Sequence, residues 1–342
     1  MKSVLVAVIV CLVIIDVFCS LENEWSQFKL NYNKKYKSQI EDARRFSVFK
    51  KNLIEITRHN RRFKKRLETF EKGITVFADL TKKQFDKKYG LGLQNNLNMT
   101  STYGLNSRSP DSINFDMEPR SREQAERRGE NVSTDYLDWR EKGAVTHVKE
   151  QGVCGACWIF SAIGMLEGYN FIKTGQLISL SEQNVVDCFS DETCYGGYTW
   201  DAILHVKNNG ISKETDYPYR KKHTRCKKKV PKIKINFKGF DFVNETENDL
   251  KSSLAKYGPI GVSLFVSGNW RLYKRGVWYE KNCSTLANHS VLLVGYGTEN
   301  GEDYWLIKNS WGPLWGEDGY IKIARNKEEN YCGLTNEAMY IF

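Results

Sequence analysis

Gln151-Gly152-Val153-Cys154-Gly155-Ala156-Cys157-Trp158 is the stretch on which the reading of this chain turns. From Cys157 to Ile172 apolar and small residues recur at helical spacing, so Cys157 is predicted to open a helix. A thiol at a helix N-terminus is favoured as thiolate, because the macrodipole stabilises negative charge there. A neighbouring imidazolium would lower its pKa further, and the thiolate is the species that attacks. Two other readings of Cys154 and Cys157 compete: a redox CxxC pair, or half of a zinc site. Zinc needs a second ligand pair at suitable spacing, and redox CxxC domains are normally small and poor in cysteine.

Working outward, the chain holds nine cysteines. Cys11 and Cys19 fall in the apolar N-terminus; the others are Cys154, Cys157, Cys188, Cys194, Cys226, Cys283 and Cys332. Seven cysteines in an oxidising compartment suggest three disulfides and one remaining thiol. Five histidines are present, and His59, His147, His205 and His223 read as surface or satisfied core residues. His289 differs, because Asn288-His289-Ser290-Val291 runs into the aliphatic Leu292-Leu293-Val294. That puts an imidazole at the start of a buried strand, a rigid mount for a base. Asn309, in Lys308-Asn309-Ser310-Trp311-Gly312, has an amide oxygen that would accept from the imidazole and fix its tautomer.

The 342 residues allow a large domain with an added module. Val4 to Ile15 is almost wholly aliphatic, too short for a bilayer span of roughly 20 residues. Residues 1–20 therefore read as a cleaved secretory signal, with an uncleaved anchor as the alternative. Residues 1–132 carry 25 Lys+Arg and 16 Asp+Glu; subtraction from 51 and 41 leaves 26 and 25 for residues 133–342. The net charge of +10 thus sits almost entirely in the N-terminal part. Arg61-Arg62-Phe63-Lys64-Lys65-Arg66 is the kind of run that forms a solvated helix face, and nucleic acid is not an expected partner. Residues 21–90 read as mostly helical, with Phe46, Phe49, Leu53 and Ile56 on one face. Residues 91–132 are polar and aperiodic and read as an exposed linker. Beyond Phe240, strands are predicted at 261–266, 290–294, 304–308 and 320–324, so a helical half precedes a strand-rich half with a groove expected between them.

Cys154-Gly-Ala-Cys157-Trp resembles the nucleophile signature of papain and the lysosomal cathepsins, whose partner His and Asn lie about 130–150 residues downstream. Here His289 follows Cys157 by 132 residues and Asn309 by 152. Glu41, Arg45, Phe49, Asn52, Ile56 and Asn60 are similar at every position to the interspersed propeptide motif of cathepsin L-like precursors. Gly73, Phe77 and Asp79 resemble its short companion, with Thr75 where that family usually has Asn.

The resemblance implies an α+β papain-like fold of two lobes with a cleft between, residues 133–342, preceded by an inhibitory propeptide over 21–132. It implies a cysteine endopeptidase made as a zymogen, without metal or organic cofactor, whose pro-segment runs backwards through the cleft until removed. Protein or peptide substrates, cystatin-type inhibitors and a monomeric state are implied as well, with no membrane partner after signal removal. So is a place in the secretory pathway, either lysosomal or extracellular, including a digestive lumen. Cys157, His289 and Asn309 would be catalytic, Gln151 would share the oxyanion hole with the Cys157 N–H, and Trp311 would shield the His289–Asn309 contact. Disulfides Cys154–Cys194, Cys188–Cys226 and Cys283–Cys332 are implied. Gly196 and Gly197 would edge the cleft, where bare backbone can approach a peptide.

Thr199, Ser263, Ala287 and Ser290 would wall the pocket for the second residue before the cut, with Glu337 at its base, where most relatives have a small or apolar residue. An acidic floor would accept Arg, and its long side chain could swing aside for Phe or Leu; the alternative is a solvated surface Glu337. Five residues between Cys188 and Cys194 leave no room for a dipeptide-trimming loop. A catalytically silent homologue would lose the nucleophile, and a peptide ligase would favour amine acceptors over water. Sequons occur at Asn98, Asn131, Asn244, Asn282 and Asn288, with glycosylation expected at the first three.

Overall fold

The computed structural model describes residues 20–89 and 135–342. The expected signal segment, the linker of residues 91–132 and the sequons Asn98 and Asn131 lie outside the described residues, apart from Ser20.

Residues 20–89 build a small core that also takes in Leu272. Helix α1 covers residues 20–31 and α2 covers Gln39–Lys64, capped by Ser38, whose hydroxyl accepts from the Glu41 N–H at 3.2 Å. Phe49 and Ile56 are buried and Phe46 and Leu53 half-buried, the face expected from their spacing, and they pack with Trp25 and Phe28 of α1. The motif polar residues serve the chain that follows α2. Asn52 donates to the Ala78 and Leu80 carbonyls at 2.7 and 2.9 Å, and Asn60 exchanges two hydrogen bonds with the Lys72 backbone. They thereby satisfy groups of a segment that is otherwise too short to pair itself. That segment contains β1 (Phe70–Lys72), which helical patterning did not anticipate, and it leads into α3 (Lys82–Tyr89).

After the short strand β2 (Leu137–Asp138), helices α4 (Cys157–Thr174), α5 (Glu182–Cys188) and α6 (Thr199–Asn209) form one lobe. Gly175 ends α4 in the left-handed conformation, φ 73°. Strand β3 (Phe240–Phe242) and helix α7 (Glu247–Tyr257) lead into the other lobe. Its strands are β4 (Ile260–Leu264), β5 (Tyr273–Trp278), β6 (His289–Glu299), β7 (Glu302–Lys308), β8 (Tyr320–Ala324) and β9 (Met339–Ile341). Four of these coincide with the expected strands. β5 and β9 were not expected; β5 hides because its lysine, arginine and glycine break the apolar alternation.

The sheet runs β1-β5-β8-β7-β6-β4-β9-β3, with β2 on β6. The N-terminal segment therefore contributes an edge strand, antiparallel to β5 with Glu71 opposite Arg275. Disulfides join Cys154–Cys194, Cys188–Cys226 and Cys283–Cys332, and Cys157 is the one cysteine outside them among the described residues.

A buried charged chain ties helices α4 and α5 to β7. Lys149 Nζ meets Glu167 of α4 at 3.1 Å and Glu182 of α5 at 2.8 Å, all three nearly without exposure. Thr146 donates to Glu167 at 2.6 Å and accepts from Lys308 of β7 at 2.9 Å. Burial lowers the Lys308 pKa to about 8, while the two carboxylates hold Lys149 firmly protonated against the same effect. Taking one member from a buried network leaves uncompensated charge, at a cost of about 3–5 kcal/mol. Lys149→Met in the Cys157→Ala precursor should lower unfolding stability by about that amount. An unchanged urea midpoint and slope would show that water, not the network, solvates these carboxylates.

Candidate active site

Cys157 is the first residue of α4 and fully buried. First-turn N–H groups point out of a helix N-terminus, so the Cys157 sulfur sits where a helix best tolerates negative charge. Two constraints fix that start. The Cys154–Cys194 disulfide holds the preceding turn, and Gly155 N–H donates to the Cys194 carbonyl at 2.8 Å. Trp158 donates from its indole to the Thr193 carbonyl at 3.3 Å. A Cβ on Gly197 would come within 2.6 Å of the Trp158 ring, so only glycine leaves the backbone this close to the helix start. Gly196 precedes it with φ 113°, also a glycine conformation.

His289 opens β6, as its aliphatic sequel implied, and is completely buried. Its Nε2 and the Asn309 Oδ1 lie 2.9 Å apart, so an N–H on Nε2 donates to the amide oxygen. The Ser310 N–H donates to that same oxygen at 2.8 Å, which orients the amide. Trp311 lies over the imidazole with ring centroids 5.1 Å apart and planes inclined by 29°. Nδ1 is buried with no hydrogen-bond partner among the described residues. Burial lowers the His289 pKa to about 4, against the pull of the Asn309 hydrogen bond.

Gln151 is buried and held from three sides. Its N–H donates to the Ser310 carbonyl at 2.8 Å, its carbonyl accepts from the Tyr219 hydroxyl at 3.0 Å, and its side-chain oxygen accepts from the Ser310 hydroxyl. Its Nε2 donates to the Cys154 carbonyl at 3.0 Å and carries a second hydrogen for another acceptor. Ser310 and Tyr219 were not singled out from the sequence. Ser310 had a signal in its place beside Asn309, whereas Tyr219 had none.

The residues expected around the specificity pocket fall on three elements and two connecting segments. Ser263 of β4 and Ser290 of β6 are register partners with hydroxyls 3.2 Å apart. Ala287 lies just before Asn288, whose N–H donates to the Leu264 carbonyl at 3.0 Å. Thr199 begins α6, two residues past Gly197. Glu337 is half-buried in the turn two residues before Met339, the register partner of Gly261 in β4. Asn288 is tied by its side-chain amide to the Val266 N–H and carbonyl at 2.8 and 3.0 Å, which removes it as a glycan acceptor.

The pro-segment reaches this site through aromatic edges. Phe77 and Phe85 meet the Trp311 ring edge-on, with centroids 5.6 and 5.1 Å away. Thr75, the departure from the short motif, donates its hydroxyl to the Arg271 carbonyl and accepts from the Phe77 N–H at 3.1 Å. Phe85 carried no motif signal and was missed.

A thiol at a helix start and a buried imidazole oriented by an amide form a cysteine-protease arrangement under a chain-encoded cover. The papain family cysteine protease domain matches residues 133–342, and the cathepsin propeptide inhibitor domain (I29) matches residues 25–85. The chain is 39% identical over 344 residues to the cathepsin L-like peptidase of Aedes aegypti, covering 98% of this chain and 97% of that one. It is 38% identical to digestive cysteine proteinase 1 of Homarus americanus, covering 92% and 93%. Digestive procathepsin L2 from the Tenebrio molitor larval midgut superposes with a TM-score of 0.81 at 34% identity, over 94% and 99% of the two chains. The chain therefore belongs to the papain family of cysteine proteases. It is a cathepsin L-like cysteine endopeptidase zymogen that carries its own inhibitory propeptide domain.

Burial of His289 has a consequence for the covered form. A histidine held neutral makes the closed chain bind fewer protons than the unfolded one, so its stability falls as pH drops from about 6.5 toward 4. The full effect is on the order of 3 kcal/mol. In the Cys157→Ala precursor, His289→Gln should remove that part of the loss between pH 7 and pH 4, as read from urea midpoints. His205, with its pKa also lowered to about 4 by burial, is common to both proteins and cancels. Identical pH dependence with and without His289 would refute the assignment.

Proposed function

We propose that Cys157 is the nucleophile, His289 the base and acid, Asn309 the residue that orients His289, and Gln151 the oxyanion donor. The observation that carries this reading is the 2.9 Å contact of His289 Nε2 with Asn309, which leaves Nδ1 as the nitrogen available to a thiol. The Cys157 thiolate attacks the peptide carbonyl, and the oxyanion is received by the second Gln151 Nε2 hydrogen and the Cys157 N–H. Protonated His289 gives its proton to the leaving amine, and water then releases the acyl group with His289 as base. Trp311 keeps water from the His289–Asn309 contact.

The reading divides the chain into a signal over 1–20, an inhibitory pro-segment over 21–132 and a peptidase over 133–342. Removal of the pro-segment is triggered by acid, in keeping with a neutral His289 under the cover. Three disulfides and digestive relatives support a place in the secretory pathway, ending in a lysosome or outside the cell, including a digestive lumen. Cystatin-type inhibitors and a monomeric state belong to the same reading. Exposure of Asn244 suits it as a glycan acceptor. Gly196 and Gly197 hold the substrate backbone. Thr199, Ser263, Ala287 and Ser290 line the pocket for the second residue before the cut, and Glu337 at its base favours Arg there.

Acidified precursor should hydrolyse fluorogenic peptides with either Arg or Phe at the second position before the cut. Cys157→Ala should abolish both activities, and their survival would sink the mechanism. Glu337→Ala should lower kcat/KM for the Arg peptide by about tenfold, worth about 1.4 kcal/mol, and leave the Phe peptide within about threefold. An unchanged Arg-to-Phe ratio would discard the pocket assignment and leave the chemistry standing.

A further inference from the structure

The loop made by the turn Trp270–Leu272 and the first residues of β5 carries three cations, Arg271, Lys274 and Arg275. Every carboxylate with which they form an ion pair among the described residues belongs to the pro-segment. Arg271 is buried. Its Nη2 meets Glu55 at 2.7 Å and Asn52 Oδ1 at 2.8 Å, and its Nε meets the Leu80 carbonyl at 3.2 Å, all pro-segment groups. Only the bond from Nη1 to the Gly268 carbonyl, 2.7 Å, stays within the peptidase. Lys274 and Arg275 meet Glu71 at 3.2 and 2.6 Å. Burial would raise the Glu55 pKa, yet its pairs with Lys72 and Arg271 hold it down at about 2. Asp86 and Lys82, which also act on Arg271 or its carboxylate neighbours, lie on α3 of the pro-segment. The peptidase acids that act on Arg275, Glu299 and Glu317, are both engaged by Lys322.

Removing the pro-segment therefore removes the carboxylates and leaves the cations. The mature loop is a positive face beside the cleft, shaped around a chain that has already bound there through two glutamates and an added strand. Its position relative to the cut follows from the stack of rings. His289 serves the leaving amine, Trp311 lies on His289, and Trp270 lies 6.1 Å from Trp311 and directly precedes Arg271. The loop is thus on the leaving-group side, about three to six extended residues beyond the scissile bond at ~3.3 Å each.

We propose that Arg271, Lys274 and Arg275 form an exosite on the mature enzyme that binds an acidic stretch of a polypeptide substrate C-terminal to the cleaved bond. This rests on the reading of the chain as a protease that sheds its pro-segment. The site does not touch the reacting atoms. It acts by local concentration and orientation, so it lowers KM and leaves kcat nearly unchanged.

The test uses processed enzyme and one cleavable peptide core in three forms: unextended, and extended beyond the cut by residues that carry either Glu or Gln at the third to sixth positions. The Glu form should have a KM about three- to tenfold below the Gln form, with equal kcat, and the advantage should vanish in 0.5 M salt. Lys274→Gln with Arg275→Gln, both exposed positions, should cut the advantage to under about twofold and leave the unextended peptide unaffected. Arg271→Gln should do the same where it folds. Equal KM values for Glu and Gln forms, or an advantage that survives the double variant, would overturn the exosite. Loss of turnover of the unextended peptide would count against the chemistry instead. Binding of the labelled Glu peptide to iodoacetamide-treated enzyme, read by anisotropy, would then still decide the exosite. Tight binding of that peptide without any gain in turnover would overturn the substrate role and assign the face to the released pro-segment.

Discussion

The Trp311 indole over the His289 imidazole, 5.1 Å between centroids, is the contact on which the rest of this structure depends. It removes the His289–Asn309 hydrogen bond from water, where such a bond has little net strength, and leaves Nδ1 as the ring nitrogen without a partner among the described residues. The same burial disfavours the charged ring. On the proposed mechanism His289 must become imidazolium, and in the covered form its burial keeps it neutral. Phe77 and Phe85 of the pro-segment present their edges to that ring, in contacts worth about 0.5–1.5 kcal/mol each beyond their buried area. The pro-segment thus rests on the same ring that covers His289.

The pro-segment holds its place by backbone pairing as well as by side chains. β1 adds to the sheet edge at β5, and Thr69 donates its hydroxyl to the Val277 carbonyl at 2.6 Å. A three-residue strand cannot persist alone, so α2 supplies what the strand lacks. Asn60 bonds the Lys72 carbonyl of the strand and Asn52 the Ala78 carbonyl beyond it, and Lys72 meets Glu55 of the same helix at 2.7 Å. This gives a physical reason for the spacing of asparagines along α2: they are the side on which the strand leans. Burial of Arg271 between Asn52, Glu55 and Leu80 then locks the helix to the enzyme loop. Such a buried pair adds little net stability but penalises any other register, because a misplaced Arg271 would be desolvated without acceptors.

Much of this was legible in the sequence where a pattern is local. The helix opened by Cys157, the strand after His289 and the apolar face of α2 each follow from periodicity within one element. The catalytic grouping needed the family resemblance, because 132 residues separate Cys157 from His289 and no local rule spans them. β1 was invisible, since Phe70-Glu71-Lys72 is a strand only because the β5 edge lies beside it. β5 was missed for a related reason: its lysine and arginine are outward residues of an edge covered by the pro-segment. Ser310 and Tyr219 act on Gln151 through contacts that chain order does not foretell, and Arg271 reads as an ordinary surface cation until Glu55 is placed beside it.

The cations of the β5 loop follow from how a removable inhibitor has to be held. A purely apolar contact would leave a sticky patch on the mature enzyme once the segment is gone. Beside the apolar contacts on Trp311 and Leu272, charge limits this, because lysine and arginine rehydrate when their glutamates leave. Lys274 and Arg275 are already more than half exposed in the covered form, so for them the change is small. Arg271 is different. It is buried with four acceptors and retains one after release, so the mature loop must either hydrate that guanidinium or meet another anion. A fork of donors held next to the buried Trp270 is costly to leave unmatched and favourable to match. The device that keeps the precursor silent therefore leaves a preference for carboxylates on the enzyme it releases.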